Sequence, residues 1–97
     1  MKVALCGDPG EIRVAHLPRP SPGPGEILLE LRCCGLCGTD LYKIARGSHV
    51  GHVLGHELVG TVTAVGSEVD GFEIGQRIVT PHHVACGTCR LCRCGAT

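Results

Sequence analysis

Aromatic residues are almost missing: the 97-residue chain has no tryptophan, one tyrosine, Tyr42, and one phenylalanine, Phe72. There is no excess charge of either sign, nine Lys and Arg standing against nine Asp and Glu. With neither a stacking platform nor a basic stripe, nucleic-acid binding has no footing. No apolar run approaches the ~20 residues that cross a bilayer, so no membrane role is expected. Lys2 is followed only by "VALC", too short for the apolar core of an export signal. A cytoplasmic protein is the expectation, one small domain at most, with a thin core.

Cysteine and glycine are plentiful instead, eight and fifteen of them. In a secreted chain of this size the cysteines would suggest disulfides. In a reducing cytosol, clustered cysteines point to metal ligands or catalytic groups. Val, Leu, Ile and Ala supply the apolar content, which with many glycines suits short strands and tight turns.

"KVALCG" and "EIRVAHLP" read as two strands joined by the turn "GDPG". Prolines at alternate positions from Pro18 to Pro24 predict an extended surface connection. "EILLELRCC" alternates, with Ile27, Leu29, Leu31 and Cys33 on one face, so Cys33 is expected in the core. "TDLYKIA" predicts a short helix, with Thr39 or Asp40 as N-cap and Gly47 as stop; Cys37 then precedes it, where a helix N-terminus favours a thiolate. "ELVGTVTAVG" alternates again, and "GFEIGQRIVT" sets glycine turns around a short strand. The tail "ACGTCRLCRCGAT" lacks a hydrophobic period and reads as a loop. The expected fold is mainly β, barrel-like, with one or two short helices.

Two cysteine groupings carry chemistry. Cys86, Cys89 and Cys92 are spaced C-x-x-C-x-x-C, and each C-x-x-C turn can offer two thiolates to one ion. Zinc needs four ligands: Cys94 is near, although two residues after Cys92 is awkward, and a ligand beyond Thr97 is the other candidate. The second grouping joins Cys37 of "CGTD" to His56 and Glu57 of "GHE", with Asp40 available to hold a ligand histidine. Cys34 and Cys37 also form a C-x-x-C, which leaves a redox pair and a zinc knuckle open beside half of a catalytic metal site. His49 and His52 read as solvated loop residues, with a place lining a substrate cleft as the lesser alternative, and His16 as a surface or barrel-face position on a strand. Cys6 reads as core.

"CGLCGTDLY", then "VLGHELVGTVTAVGSEVDGFEIGQRIV", then "PHHVACGTCRLC", in that order and spacing, resemble the zinc-dependent medium-chain alcohol dehydrogenases from about Lys2 onward. The resemblance implies a GroES-like β-barrel spanning 1–97, incomplete, with a cysteine-rich zinc lobe. It makes Cys37 and His56 catalytic zinc ligands, with Cys37 the only ligand from its segment. Glu57 would lie beside the metal, or be a ligand as in the polyol-dehydrogenase branch. Thr39 would hydrogen-bond the alcohol oxygen and begin a proton relay, and Asp40 would orient His56. Cys86, Cys89 and Cys92 would hold a structural zinc with a further cysteine. His82 is a candidate on the substrate side.

Tyr42 stands near the place where many relatives carry a relay histidine. No G-x-G-x-x-G opening a helix after a strand occurs, so NAD(P) is expected only in a full-length form. The implied function is the zinc-binding catalytic portion of an NAD(P)-dependent alcohol or polyol oxidoreductase, inactive alone, with homo-oligomer formation left open. The alternative is a non-enzymatic zinc-binding remnant or interaction module, its site closed by Cys86, Cys89, Cys92 and Cys94. An incomplete barrel should also expose strand edges and be poorly soluble unless covered.

Overall fold

The computed structural model describes residues 1–96; Thr97, the last residue of the expected 1–97 domain, lies outside the described residues. The first sheet pairs β1 (Lys2–Cys6) with β2 (Ile12–His16), from Lys2 opposite His16 to Cys6 opposite Ile12. The "GDPG" turn closes it, with the Glu11 N–H donating to Asp8 O at 2.8 Å. Residues 17–26 form no strand, as their prolines, lacking N–H donors, require.

The second sheet has the order β3–β4–β5, all antiparallel: β3 (Ile27–Gly35), β4 (Glu57–Val65) and β5 (Arg77–Val79). Register shifts fall between Leu28 and Leu29 and between Leu31 and Cys33. They undo the expected alternation. A residue added to one strand bends it and re-aims the side chains beyond, so Cys33 is exposed rather than in the core, and Leu31 is exposed with it.

From the end of β3 the chain passes through Leu36 and Cys37 into helix α1 (Gly38–Arg46). Its N-cap is Cys37, two residues earlier than the first expected cap. The reason is Asp40, whose carboxylate Oδ2 accepts the Cys37 N–H at 3.1 Å and so draws Gly38 and Thr39 into the first turn. Gly47 ends the helix as expected, in the left-handed conformation (φ 59°) that glycine tolerates. The tail holds one helical turn, α2 (Arg90–Arg93), where a loop was expected; Cys89 is its N-cap.

The core is thin. Cys6 and Val62 are the buried apolar side chains among the described residues, and Asp40 is the buried polar one. The accessible surface is 7173 Å². A closed monomer of 10.1 kDa would show about 5,300 Å². The radius of gyration, 15.6 Å, likewise exceeds the roughly 12.5 Å of a compact chain this long. The fold is mainly β, and the two sheets do not close into a barrel among the described residues. Strand residues such as Val14 and Val79 face solvent.

Candidate metal centre

The β3–β4 ladder brings residues far apart in sequence together. Gly35 closes β3 opposite Glu57, which opens β4. Cys37 lies two residues past that pair on one side, and His56 one residue before it on the other. The Cys37 thiol, a His56 ring nitrogen and a Glu57 carboxylate oxygen thus lie within 4.8 Å of one another. Two glycines make this approach possible. A Cβ at Gly35 would overlap the Glu57 carboxylate. Gly55, before the histidine, adopts φ 125°, and a Cβ there would stand 2.8 Å from Cys34 Sγ.

Helix α1 supplies the surroundings. Thr39 Oγ1 lies 3.5 Å from His56 Nε2. Asp40, buried beneath, sets its Oδ1 3.5 Å from His56 Nδ1. That oxygen is enclosed and has no hydrogen-bond partner. The two faces of the imidazole are therefore distinct: Nδ1 looks to the carboxylate, Nε2 to Thr39. The Thr39 hydroxyl, then its N–H, and His56 beyond them hold the Cys37 thiol below its ordinary pKa. A soft sulfur, an imidazole and a carboxylate, with a buried acceptor behind the ring, form a donor set suited to zinc.

Cys86, Cys89 and Cys92 form a second group, their sulfurs within 4.8 Å of one another. Cys89 Sγ is 3.4 Å and Cys86 Sγ 3.7 Å from Cys92 Sγ. The Cys89 and Thr88 N–H groups and the Thr88 hydroxyl lower the Cys86 thiol to about 6, as at an electropositive turn. Three converging sulfurs, one already inclined to ionise, also fit zinc. Cys94 does not join them: its thiol donates to Leu91 O at 3.3 Å. Cys34, the other half of the first C-x-x-C, turns its thiol to Gly35 O at 3.4 Å.

An open cleft of about 800 Å³ leads to the Cys37 group. His82 lines it, its ring centroid 6.2 Å from that of His56. His49 and His52 line it too, the lesser of the two readings their loop allowed. Lys43 is a wall residue that sequence reasoning missed; its one signal was a place four residues after Thr39 on a helix. Gly35 was missed as well, because its role depends on strand register. Tyr42 is not on this wall and lies beneath the Arg46 guanidinium, 4.7 Å from ring centroid to carbon.

The model of the alcohol dehydrogenase GroES-like domain matches residues 23–97. The chain is 44% identical over 90 residues to the L-threonine 3-dehydrogenase of Stenotrophomonas maltophilia (strain K279a), a match covering 87% of this chain and 26% of that enzyme. Among solved structures, the alcohol dehydrogenase TADH from Thermus sp. ATN1 superposes with a TM-score of 0.87 at 34% identity, over 99% of this chain and 29% of that one. An alcohol dehydrogenase of Escherichia coli CFT073, complexed with NADH, gives 0.87 at 33% identity, over 99% and 28%. The chain therefore spans about a quarter of the length of the enzymes it matches.

Proposed function

The chain belongs to the zinc-dependent medium-chain alcohol dehydrogenase family, and from that premise we propose that residues 1–97 are the metal-bearing catalytic portion of an NAD(P)-dependent oxidoreductase acting on an alcohol or polyol. The observation that carries this reading is the convergence of Cys37, His56 and Glu57 over the orphaned Asp40 oxygen. Cys37, His56 and Glu57 would hold the catalytic zinc, and Cys86, Cys89 and Cys92 a structural one. When bound in the first site, zinc supplies Lewis-acid chemistry, polarising an oxygen and favouring loss of its proton.

The chain's own residues do the rest. Thr39 Oγ1, on the cleft wall near His56 Nε2, accepts the alcohol proton as its own hydroxyl proton passes to water in the open cleft. Asp40 keeps the Nδ1 of His56 protonated, so that Nε2 stays a free lone pair. Val53 and Leu54 offer apolar contact to the substrate's carbon chain. A nicotinamide, when bound, would supply the hydride acceptor; the NADH-complexed relative supports that choice. A nucleotide-binding unit beyond these residues would hold it, since no dinucleotide motif lies within them. Cytoplasmic location suits so many free thiols, and no helix among the described residues is long and apolar enough to cross a membrane.

Zinc analysis with Cys37→Ser tests the reading. Two zinc ions per chain, one of them lost in the variant, are expected, with no alcohol oxidation by the isolated chain in the presence of NAD(P). A single zinc indifferent to Cys37→Ser would favour the alternative, a non-enzymatic zinc module built on the tail thiols. Robust turnover by the isolated chain would remove the claim that it is inactive alone.

A further inference from the structure

The register of β4 and β5 reaches past the strands to the metal group. Val59 pairs with Val79, and the Thr80 N–H donates to Leu58 O at 3.1 Å. Carried on, that antiparallel register sets Pro81 opposite Glu57 and His82 opposite His56. Pro81 has no N–H to extend the ladder, so residues 80–85 lie outside helix and strand, and His82 is exposed. Its ring nevertheless approaches the site, its centroid 6.2 Å from that of His56. His49 and His52, on the same wall, instead meet each other edge to face, with centroids 5.9 Å apart.

We infer that His82 is a fourth, displaceable ligand of the Cys37 metal, carried by the loop after β5; this rests on the zinc reading of that site. Zinc takes four ligands, and Cys37, His56 and Glu57 supply three. With Zn–N about 2.1 Å, a ligating imidazole centres its ring about 3.2 Å from the ion, and two such rings at a tetrahedral angle stand roughly 5 Å apart. The observed 6.2 Å leaves about 1 Å to close. A step of that size is open to an exposed loop residue and closed to one fixed in a strand.

The next residue prepares the ring. His82 Nε2 and His83 Nδ1 are 2.9 Å apart. With its proton on Nε2, His82 donates to His83 and keeps the Nδ1 lone pair for the ion. Histidine ligands almost always donate their second nitrogen in this way, and Asp40 stands behind His56 likewise. His83 is thus a positioning residue. The donors also differ in mobility. Cys37 caps α1 and His56 directly precedes β4, so both are anchored by regular structure. His82 is the one free to withdraw, and a catalytic zinc needs one position that can open.

The test is nitrogen NMR of the ¹⁵N-labelled chain loaded with ¹¹³Cd, whose coupling to a ring nitrogen requires a direct bond, beside a chelator competition with zinc. Two histidines should show the coupling, His56 at Nε2 and His82 at Nδ1, and His82→Gln should remove the second alone. In the competition His82→Gln should weaken zinc at the Cys37 site about tenfold or more, a loss typical even of a partner one step behind a ligand, with the tail zinc unchanged. His83→Ala should also weaken it, and His83→Asn, which keeps an acceptor, should restore it; indifference to both strips His83 of its positioning role. Coupling to His56 alone, or zinc affinity indifferent to His82→Gln, overturns the inference. Absence of coupling to His56 sinks the zinc reading of the cleft itself, so the two failures are distinct. The coupling is read on the unaltered chain and does not depend on how any variant folds.

Discussion

Replacing Asp40 by asparagine separates a metal-positioning role from a merely structural one. Asp40 Oδ2 accepts the Cys37 N–H at 3.1 Å, and Oδ1, otherwise without a partner, lies 3.5 Å from His56 Nδ1, where a ring N–H would face it. A carboxylate can accept from both. An amide has one acceptor and one donor, so in either orientation one N–H meets an NH₂. Keeping the helix cap intact turns the NH₂ toward His56, which then carries its proton on Nε2, the nitrogen needed for the metal. Loss of a partner behind a metal-ligating histidine typically weakens the metal about 10- to 100-fold, or roughly 1.4 to 2.7 kcal/mol. The volume and the cap are preserved, so thermal stability of the metal-free chain should change by less than about 1 kcal/mol. A competition titration against a zinc chelator reads both sites at once, with the tail cysteines as internal reference. One weakened and one unchanged zinc is the expected result. Unchanged affinity at both sites would refute the argument that Asp40 sets the histidine tautomer.

Three other substitutions have definite expected outcomes. Gly35→Ala drives a Cβ into the Glu57 carboxylate; overpacking of about 1–3 kcal/mol should appear in a denaturant midpoint, together with weakened zinc at the Cys37 site. In the tail, Cys86→Ser should remove one zinc by metal analysis, while Cys94→Ser should leave the count unchanged because that thiol is turned to Leu91 O.

The sequence carried the chemistry more clearly than the packing. Cys37 and His56 made only a loose grouping by spacing, and it was the resemblance carried by "CGTD" and "GHE" that joined them at one metal. Gly47 declared the helix end through its left-handed conformation. Cys33 could not be placed, since a period of two cannot register the residue, Arg32, that a bulge adds to β3. The helix began early for a similar reason: Asp40 looked like a cap, but caps Cys37 from inside the first turn. Cys94 was near the tail thiols in number only, and the turn of α2 points it at a backbone carbonyl. Lys43 looked like any helix-surface lysine; only the fold brings it to the same cleft as His49 and His52.

Glu57 opens β4 and Cys37 follows two residues after the end of β3, so an ion gripping both would act as a rivet at the end of that seam. An unfolded chain has no such seam to rivet. Free zinc at a hundred times its dissociation constant would then add about 2.7 kcal/mol to the folded state, a large sum for a molecule whose interior rests on little more than Cys6 and Val62. The ambient metal level would act as the thermostat of this chain, and its melting point would follow the zinc supply.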